Sequence, residues 1–259
     1  MLQHRMPAVF AGHGSPMLAI TDNDITRQFR EAGEKVVREA GRPRAILAVS
    51  AHWYTRGSLV ADTRAPEQIY DMYGFPEALY ALQYRPAGSP EVARRVEALL
   101  GAAVAVDNSW GIDHGTWSVL THMFPAADIP VLQLSVNGYL DAAGHYAVGE
   151  KLSALRDEGV LILGSGNIVH NLYRIEPGNP SGSPMAEGFQ AKVVEAIGKR
   201  DDERVIDYKS IPFAHYAIPS PEHYLPLLYV FGATRGEKVT VFNNTCVSGS
   251  LGMAGFIAG

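Results

Sequence analysis

Ala45-Ile46-Leu47-Ala48-Val49-Ser50-Ala51-His52-Trp53 sets the apolar run Ala45–Val49 just ahead of a histidine. A short apolar run of this kind marks a strand buried on both faces, and Ala45–Ser50 is read as one. Upstream, Asp22–Ala40 reads as a helix that Asp22 or Asp24 can cap. Before it, Ala8–Gly12 reads as a first strand ending in a turn. The alternation continues downstream. Ser89–Leu100 is a helix behind a Ser-Pro start, Val131–Val136 a strand, and Leu140–Gly159 contains a helix. Val160–Gly164 is a strand, Pro184–Lys199 a helix, and Pro221–Phe231 a helix with Pro221 in its first turn. Val239–Asn243 is a late strand. Strands alternating with helices imply a layered α/β fold with a largely parallel or mixed sheet. The Gly/Pro/Ser-rich piece Pro177–Pro184 reads as a surface loop. With no repeat, low-complexity segment or linker, residues 1–259 are expected to form a single domain.

Composition narrows the function. A 259-residue chain that is 47% hydrophobic can bury one substantial core. A formal net charge of −5 and the lack of any Lys/Arg run argue against a nucleic-acid partner. The longest apolar stretches, such as Val160–Leu163 and Pro226–Phe231, are too short to span a bilayer, so no membrane partner is expected. Met1–Pro7 carries His4 and Arg5, and Gly12–Pro16 interrupts the chain before any apolar h-region can form, so no signal peptide and a cytoplasmic location are expected. No long exposed heptad pattern is present, which argues against a coiled coil and leaves a monomer or small homo-oligomer. Cys246 is the one cysteine, so neither an intramolecular disulfide nor a cysteine zinc cluster can form. Any metal site must come from the nine histidines, with Asp and Glu.

Several histidines stand in unusual contexts at or after strand ends, where α/β folds carry their sites. His13 lies between Gly12 and Gly14, and glycines let the backbone approach a ligand closely. The plainer reading is a surface-turn histidine. His52 follows its apolar run; alone, it would equally be a strand-end histidine satisfied by a carbonyl. His114 lies in the loop Trp110-Gly111-Ile112-Asp113-His114-Gly115-Thr116-Trp117, which suits a flat substrate, although tryptophans usually fill cores. His170 follows a Ser-Gly-Asn turn with Asn167 and Asn171 nearby, and its plainer reading is a helix start. His223 lies beside Glu222, so either side chain can be the one aimed inward; the plainer reading packs His223 on Tyr224. His215 is intermediate, a candidate for the pocket mouth. His4, His122 and His145 read as structural or exposed. No His-x-x-x-His pair shares a helix, so there is no zincin signature.

Together these motifs are recognisable. Gly12-His13-Gly14-Ser15-Pro16, Ser50-Ala51-His52-Trp53, Tyr73-Gly74-Phe75-Pro76, Trp110–Trp117, Gly166-Asn167-Ile168-Val169-His170-Asn171-Leu172 and Pro221-Glu222-His223-Tyr224-Leu225-Pro226-Leu227 occur in this order. The sequence resembles the DODA-type family of 4,5-DOPA extradiol dioxygenases. These are class III extradiol ring-cleavage enzymes, similar to the catalytic subunit of protocatechuate 4,5-dioxygenase. The resemblance runs from Pro7 to Gly252, and the ordered motifs are jointly specific where each alone is weak.

The resemblance implies a central mixed sheet flanked by helices, with a metal site in a cleft at one sheet end. It implies a catechol substrate, DOPA-like, and O₂. Fe(II) is the implied active metal, with Zn(II) able to occupy the same site. By motif, His13, His52 and His223 resemble metal ligands. His170 resembles a residue that contacts the metal or acts as acid/base beside it, and His114 resembles an acid/base histidine. Protocatechuate-type enzymes complete their ligand set with a glutamate; here Glu222 adjoins His223, and the DODA-type pattern favours His223. Near neutral pH imidazole suits both a base that deprotonates a catechol and an acid that later returns the proton. Asp113, Asn167 and Asn171 are candidates to receive the ligand histidines' other ring N–H. The competing readings are a zinc-dependent hydrolase using the same histidines and a metal-bound water, and a non-catalytic member of the fold.

Overall fold

In the computed structural model, residues 5–259 are described; His4, and most of the N-terminal segment in which a signal peptide was sought, lie outside the described residues. Among the described residues ten strands form: β1 (Ala8–Gly12), β2 (Ala45–Thr55), β3 (Ser58–Val60), β4 (Val104–Val106), β5 (Val131–Asn137), β6 (Val160–Gly166), β7 (Val239–Phe242), β8 (Cys246–Val247), β9 (Leu251–Gly252) and β10 (Gly255–Ala258). Eight of them make one sheet in the order β4-β3-β5-β2-β6-β1-β10-β7. Its centre, β5-β2-β6-β1, is parallel, while β3 and β10 join antiparallel at its two sides. The sheet is therefore mixed, as expected, and its parallel centre explains why the first halves of β2 and β6 read as continuous apolar runs.

The helices are α1 (Asp24–Ala40), α2 (Glu77–Ala81), α3 (Pro90–Leu100), α4 (His114–Met123), α5 (Ala142–Leu152), α6 (Ala154–Asp157), α7 (Pro184–Lys199), α8 (Asp202–Ile206), α9 (Ala214–Ala217) and α10 (Leu225–Ala233). Successive strand residues point to opposite faces, and two cores result. Phe10, Leu47, Val49 and Ile162 pack beneath α5, α7 and α10, while Val9, Ile46, Ala48 and Leu163 pack against α1 and α4. Among the described residues no helix is long and apolar enough to cross a membrane.

Local departures from the expected elements have physical causes. Asn23, not Asp22 or Asp24, caps α1: its side chain accepts the Thr26 N–H while the Thr26 hydroxyl receives the Asn23 N–H. Asp22 instead pairs with Arg30 at 2.9 Å. The expected Ala45–Ser50 strand runs on to Thr55, because the register shifts between Ser50 and Tyr54 and pairing with β5 resumes beyond the bulge. The segment Trp110–Trp117 is not all loop. Asp113 accepts the Thr116 N–H at 3.1 Å and starts α4 at His114. Every residue of α4 but Thr121 is buried, so it shows no amphipathic stripe to betray a helix. The last large helix begins at Leu225 rather than Pro221. The His223 carbonyl is taken by the Asn167 N–H at 2.8 Å, and Pro226 has no N–H to give, so no helical ladder can pass through that point.

Candidate active site

The carboxyl ends of β1, β2 and β6 meet at one sheet edge and deliver the histidines. His13 follows β1 directly, and its N–H bonds the Gly166 carbonyl at the end of β6 at 3.0 Å. Gly14 comes next in the left-handed region, φ +58, with Met253 against it. His52 lies inside the β2 bulge, a device that re-aims a side chain without ending the strand. His114 is the first residue of α4. His170 sits where β6 has turned away, its N–H bonded to the Ala217 carbonyl at 2.8 Å. His223 is carried by the turn before α10. A Cβ on Gly166 would run into the His223 carbonyl oxygen, so only glycine lets that turn seat against the strand end.

The rings converge. His13 and His52 Nε2 atoms are 3.2 Å apart, and the His52 and His114 ring centroids 3.9 Å apart. His13 and His223 centroids are 5.3 Å apart, and His170 stacks on His223 at 3.4 Å with a 6° interplanar angle. Two sets of close donor atoms result, His13-His52-His114 and His170-Glu222-His223. The cleft they share holds about 470 Å³ and is otherwise walled by Met72, Phe75, Leu172, Ile175, Pro177 and Leu251 among others. That lies within the roughly 300–1,000 Å³ of ordinary small-ligand sites. His215 is exposed and lines a separate cavity with Tyr208, Lys209 and Ile218, so it does not border this cleft. His122 is a buried structural histidine, bonded to the Leu18 carbonyl at 2.7 Å. His145 is likewise buried, against the Tyr229 hydroxyl at 3.0 Å.

Hydrogen bonds fix which nitrogen each ring offers. The Ser165 hydroxyl donates to the Gly115 carbonyl at 2.5 Å, so it accepts from His13 Nδ1 at 2.9 Å. His13 Nε2 is left facing His52 Nε2. His52 Nδ1 faces Asp71 Oδ2 at 3.2 Å, and His223 Nδ1 faces Glu222 Oε1 at 3.3 Å. His223 Nε2 is buried without a hydrogen-bond partner among the described residues. His114 Nδ1 lies 2.9 Å from Asp71 Oδ1, a close contact without hydrogen-bond alignment; the His114 backbone N–H donates to that oxygen, also at 2.9 Å. The carboxylate and hydroxyl partners are thus Asp71, Glu222 and Ser165. Asp113, Asn167 and Asn171 do not serve the rings. Asp113 accepts from Ser50, Trp110 and Gln133, while Asn167 and Asn171 donate to the Gly252 and Tyr216 carbonyls. Nothing in sequence marks Asp71, which sits in an irregular segment between β3 and α2.

The electrostatics reflect this wiring. Burial, then the neighbouring imidazoles, holds His13 well below its ordinary pKa, and the same causes bring His170 to about 3. Burial brings His223 to about 4 against the pull of Glu222. Burial also opposes a charge on His52, but the Asp71 contact and the charges of Asp113, Asp71 and Glu222 outweigh it and raise its pKa. Burial pushes against ionisation of Asp71 and Glu222 too. Contacts with His114 and His52 hold Asp71 far below the usual carboxylate range, and His223 and Ser220 bring Glu222 to about 2.

A metal ion fits this donor set. The His13 and His52 Nε2 atoms lie 3.2 Å apart, close enough for one ion to reach both, and His223 Nε2 is buried without a partner among the described residues. Neutral imidazoles with their far nitrogens tied to carboxylate or hydroxyl are the usual form of ligand histidines.

The comparisons agree with the geometry. The family described as the catalytic LigB subunit of aromatic ring-opening dioxygenase matches residues 7–256. The chain belongs to this family. It is 44% identical to the 4,5-DOPA dioxygenase extradiol of Escherichia coli strain K12 over 98% of this chain and 94% of that protein. It is 39% identical to the 4,5-DOPA dioxygenase extradiol of Beta vulgaris over 93% and 92%. The crystal structure of an uncharacterized Escherichia coli K12 protein superposes with a TM-score of 0.85 at 40% identity, covering 98% of this chain and all of that one. The chain is an extradiol ring-cleaving dioxygenase of the LigB family, and the expected mixed α/β fold is the family's.

Proposed function

We propose that this enzyme opens a DOPA-like catechol with O₂ at a single Fe(II) held by the Nε2 atoms of His13, His52 and His223, with His170 beside the metal and His114 as acid/base. The observation that carries the reading is the convergence of three imidazoles whose Nδ1 atoms face Ser165, Asp71 and Glu222, with the His13 and His52 Nε2 atoms 3.2 Å apart and the His223 ring centroid 5.3 and 5.2 Å from theirs. When bound, Fe(II) supplies the redox centre through which ring electrons reach O₂, which zinc, having no redox chemistry, does not. Zinc competes well for nitrogen ligands, so protein prepared without care carries an inert fraction.

The chain's own residues do the rest. His114 turns Nδ1 to Asp71 and so offers Nε2 to the cleft, where it takes the catechol proton on binding and returns it as the ring opens. Met72, Phe75, Leu172 and Ile175 clasp the aromatic ring and its substituent and keep water from the reacting face. His170, stacked on His223, holds that imidazole in plane. The hydrolase reading is not favoured, because the family and its relatives open aromatic rings.

The test is anaerobic reconstitution with Fe(II), then addition of L-DOPA in air with O₂ uptake and the yellow ring-opened product followed together. Stoichiometric uptake, absent from a zinc-loaded control, is the expected result. No reaction with L-DOPA or a panel of simple catechols, in protein shown to hold Fe(II), overturns the proposal.

A further inference from the structure

Among the described residues, Asp71 places one carboxylate oxygen within 3.2 Å of the Nδ1 of each of two cleft histidines. Its Oδ2 faces His52 Nδ1 at 3.2 Å, and its Oδ1 faces His114 Nδ1 at 2.9 Å while accepting the His114 N–H. Its side chain is only 11% exposed. The segment that carries it is pinned. The Ile69 N–H donates to the Ile112 carbonyl at 3.0 Å, the Glu67 carbonyl accepts from the Ile112 N–H at 2.7 Å, and the Trp117 indole donates to the Ile69 carbonyl at 3.0 Å. The next residue, Met72, and Phe75 further along both line the cleft. A single pinned segment therefore provides substrate wall and histidine partner together.

We infer that Asp71 is a positioning residue that serves both halves of the site at once, holding His52 with Nε2 toward the metal and His114 with Nε2 toward the substrate. This rests on the metal and acid/base roles proposed above. By accepting His52 Nδ1–H it fixes the tautomer in which only Nε2 can ligate. Beside His114 it fixes the ring so that the proton leaving a catechol hydroxyl goes to Nε2, and the imidazolium so formed lies against a carboxylate. Both of its oxygens are engaged, so the two imidazoles cannot reorient independently.

Two arms test this. In the first, zinc affinity of the metal-free protein is measured by chelator competition for wild type, Asp71→Asn and Asp71→Glu. Asp71→Asn is expected to bind zinc ~10–100-fold more weakly, and Asp71→Glu, which keeps a carboxylate, is expected to retain more affinity than Asp71→Asn. In the second, at saturating Fe(II), Asp71→Asn lowers kcat with KM little changed, and causes no further kcat loss in a His114→Gln background. A segment that was merely structural would raise KM and add its loss to that of His114→Gln. Wild-type zinc affinity in Asp71→Asn, the reverse order of the two variants, or additive losses would each overturn the inference. The zinc arm needs no turnover. Failure of the dioxygenase proposal shows itself separately, as wild-type protein that takes up no O₂.

Discussion

At the residue scale the site is a problem of where lone pairs point. His13, His52 and His223 each have Nδ1 facing an oxygen, which leaves their Nε2 atoms as the donors of the metal site proposed above. Replacing His13 or His52 by Ala is expected to strip the metal and abolish turnover; full metal content in either variant, by elemental analysis, would remove that histidine from the ligand set. On the proposed role of His114 as a proton-transfer group and not a ligand, His114→Ala should keep its metal and turn over ~10²–10⁴-fold more slowly. A variant at wild-type rate would reduce His114 to packing. These histidines are legible because each stands in an odd local context: His13 between glycines, His52 ending an apolar run, His223 before a proline-broken helix. Their partners are not. Asp71 is an ordinary loop aspartate until the chain folds, and Ser165 is a buried strand residue whose hydroxyl matters only because Gly115 and His13 arrive on either side of it.

At the element scale, sequence reads strands and helices by period, and it misses those without one. The strands Ser58–Val60 and Val104–Val106 are too short to show alternation, and Gly255–Ala258 is a four-residue apolar end piece. α4 is buried nearly throughout and reads as loop, while α7, which has an exposed face, reads as Pro184–Lys199, where it lies. The turn before α10 is the departure with functional weight, since it aims His223 at the cleft by giving its carbonyl to the Asn167 N–H. Gly166→Ala drives a methyl into that carbonyl and is expected to cost roughly 1–3 kcal/mol of stability by overpacking. It should also weaken metal binding; unchanged zinc affinity and unfolding midpoint would show that the turn yields freely. The α5–α10 contact carries a second prediction. His145 is fully buried against the Tyr229 hydroxyl, and burial lowers its pKa to about 4. The folded state therefore prefers the neutral ring, while the unfolded chain takes up a proton near pH 6.5. This stability is present above pH 6.5 and is lost as pH falls toward 4, by up to about 3 kcal/mol. In urea titrations the advantage of wild type over His145→Gln should shrink between pH 7 and 4.5; a pH-independent gap would refute it.

At the scale of the whole molecule, a mixed sheet with helices on both faces must close its far edge, opposite the cleft, without a site to organise it. Arg156 does this. Its side chain is fully buried, and it reaches out of α6 to the Met6 carbonyl at 2.7 Å, the Ala233 carbonyl at 2.6 Å and both oxygens of Glu237 at 2.9 and 2.6 Å. Those partners belong to the entry into β1, the last residue of α10 and the turn leading to β7. The guanidinium's planar fork is what lets one side chain satisfy carbonyls and a carboxylate together, which an ammonium does not reproduce. Arg156→Met leaves the Met6 and Ala233 carbonyls short of their donor and Glu237 with Arg5 alone, at 3.1 Å, and is expected to cost roughly 1–3 kcal/mol per carbonyl left unsatisfied. Arg156→Lys should recover only part of that loss, and Glu237→Gln in the Arg156→Met background, which removes a charge that Arg5 still holds, should recover little of it. All three are read by urea denaturation of metal-loaded protein, with zinc affinity as a control for the distant cleft. A loss below about 1 kcal/mol for Arg156→Met, the level of an exposed ion pair, would mean that the sheet's far edge closes on apolar packing alone. A matching fall in zinc affinity would mean that edge and cleft fold as one unit.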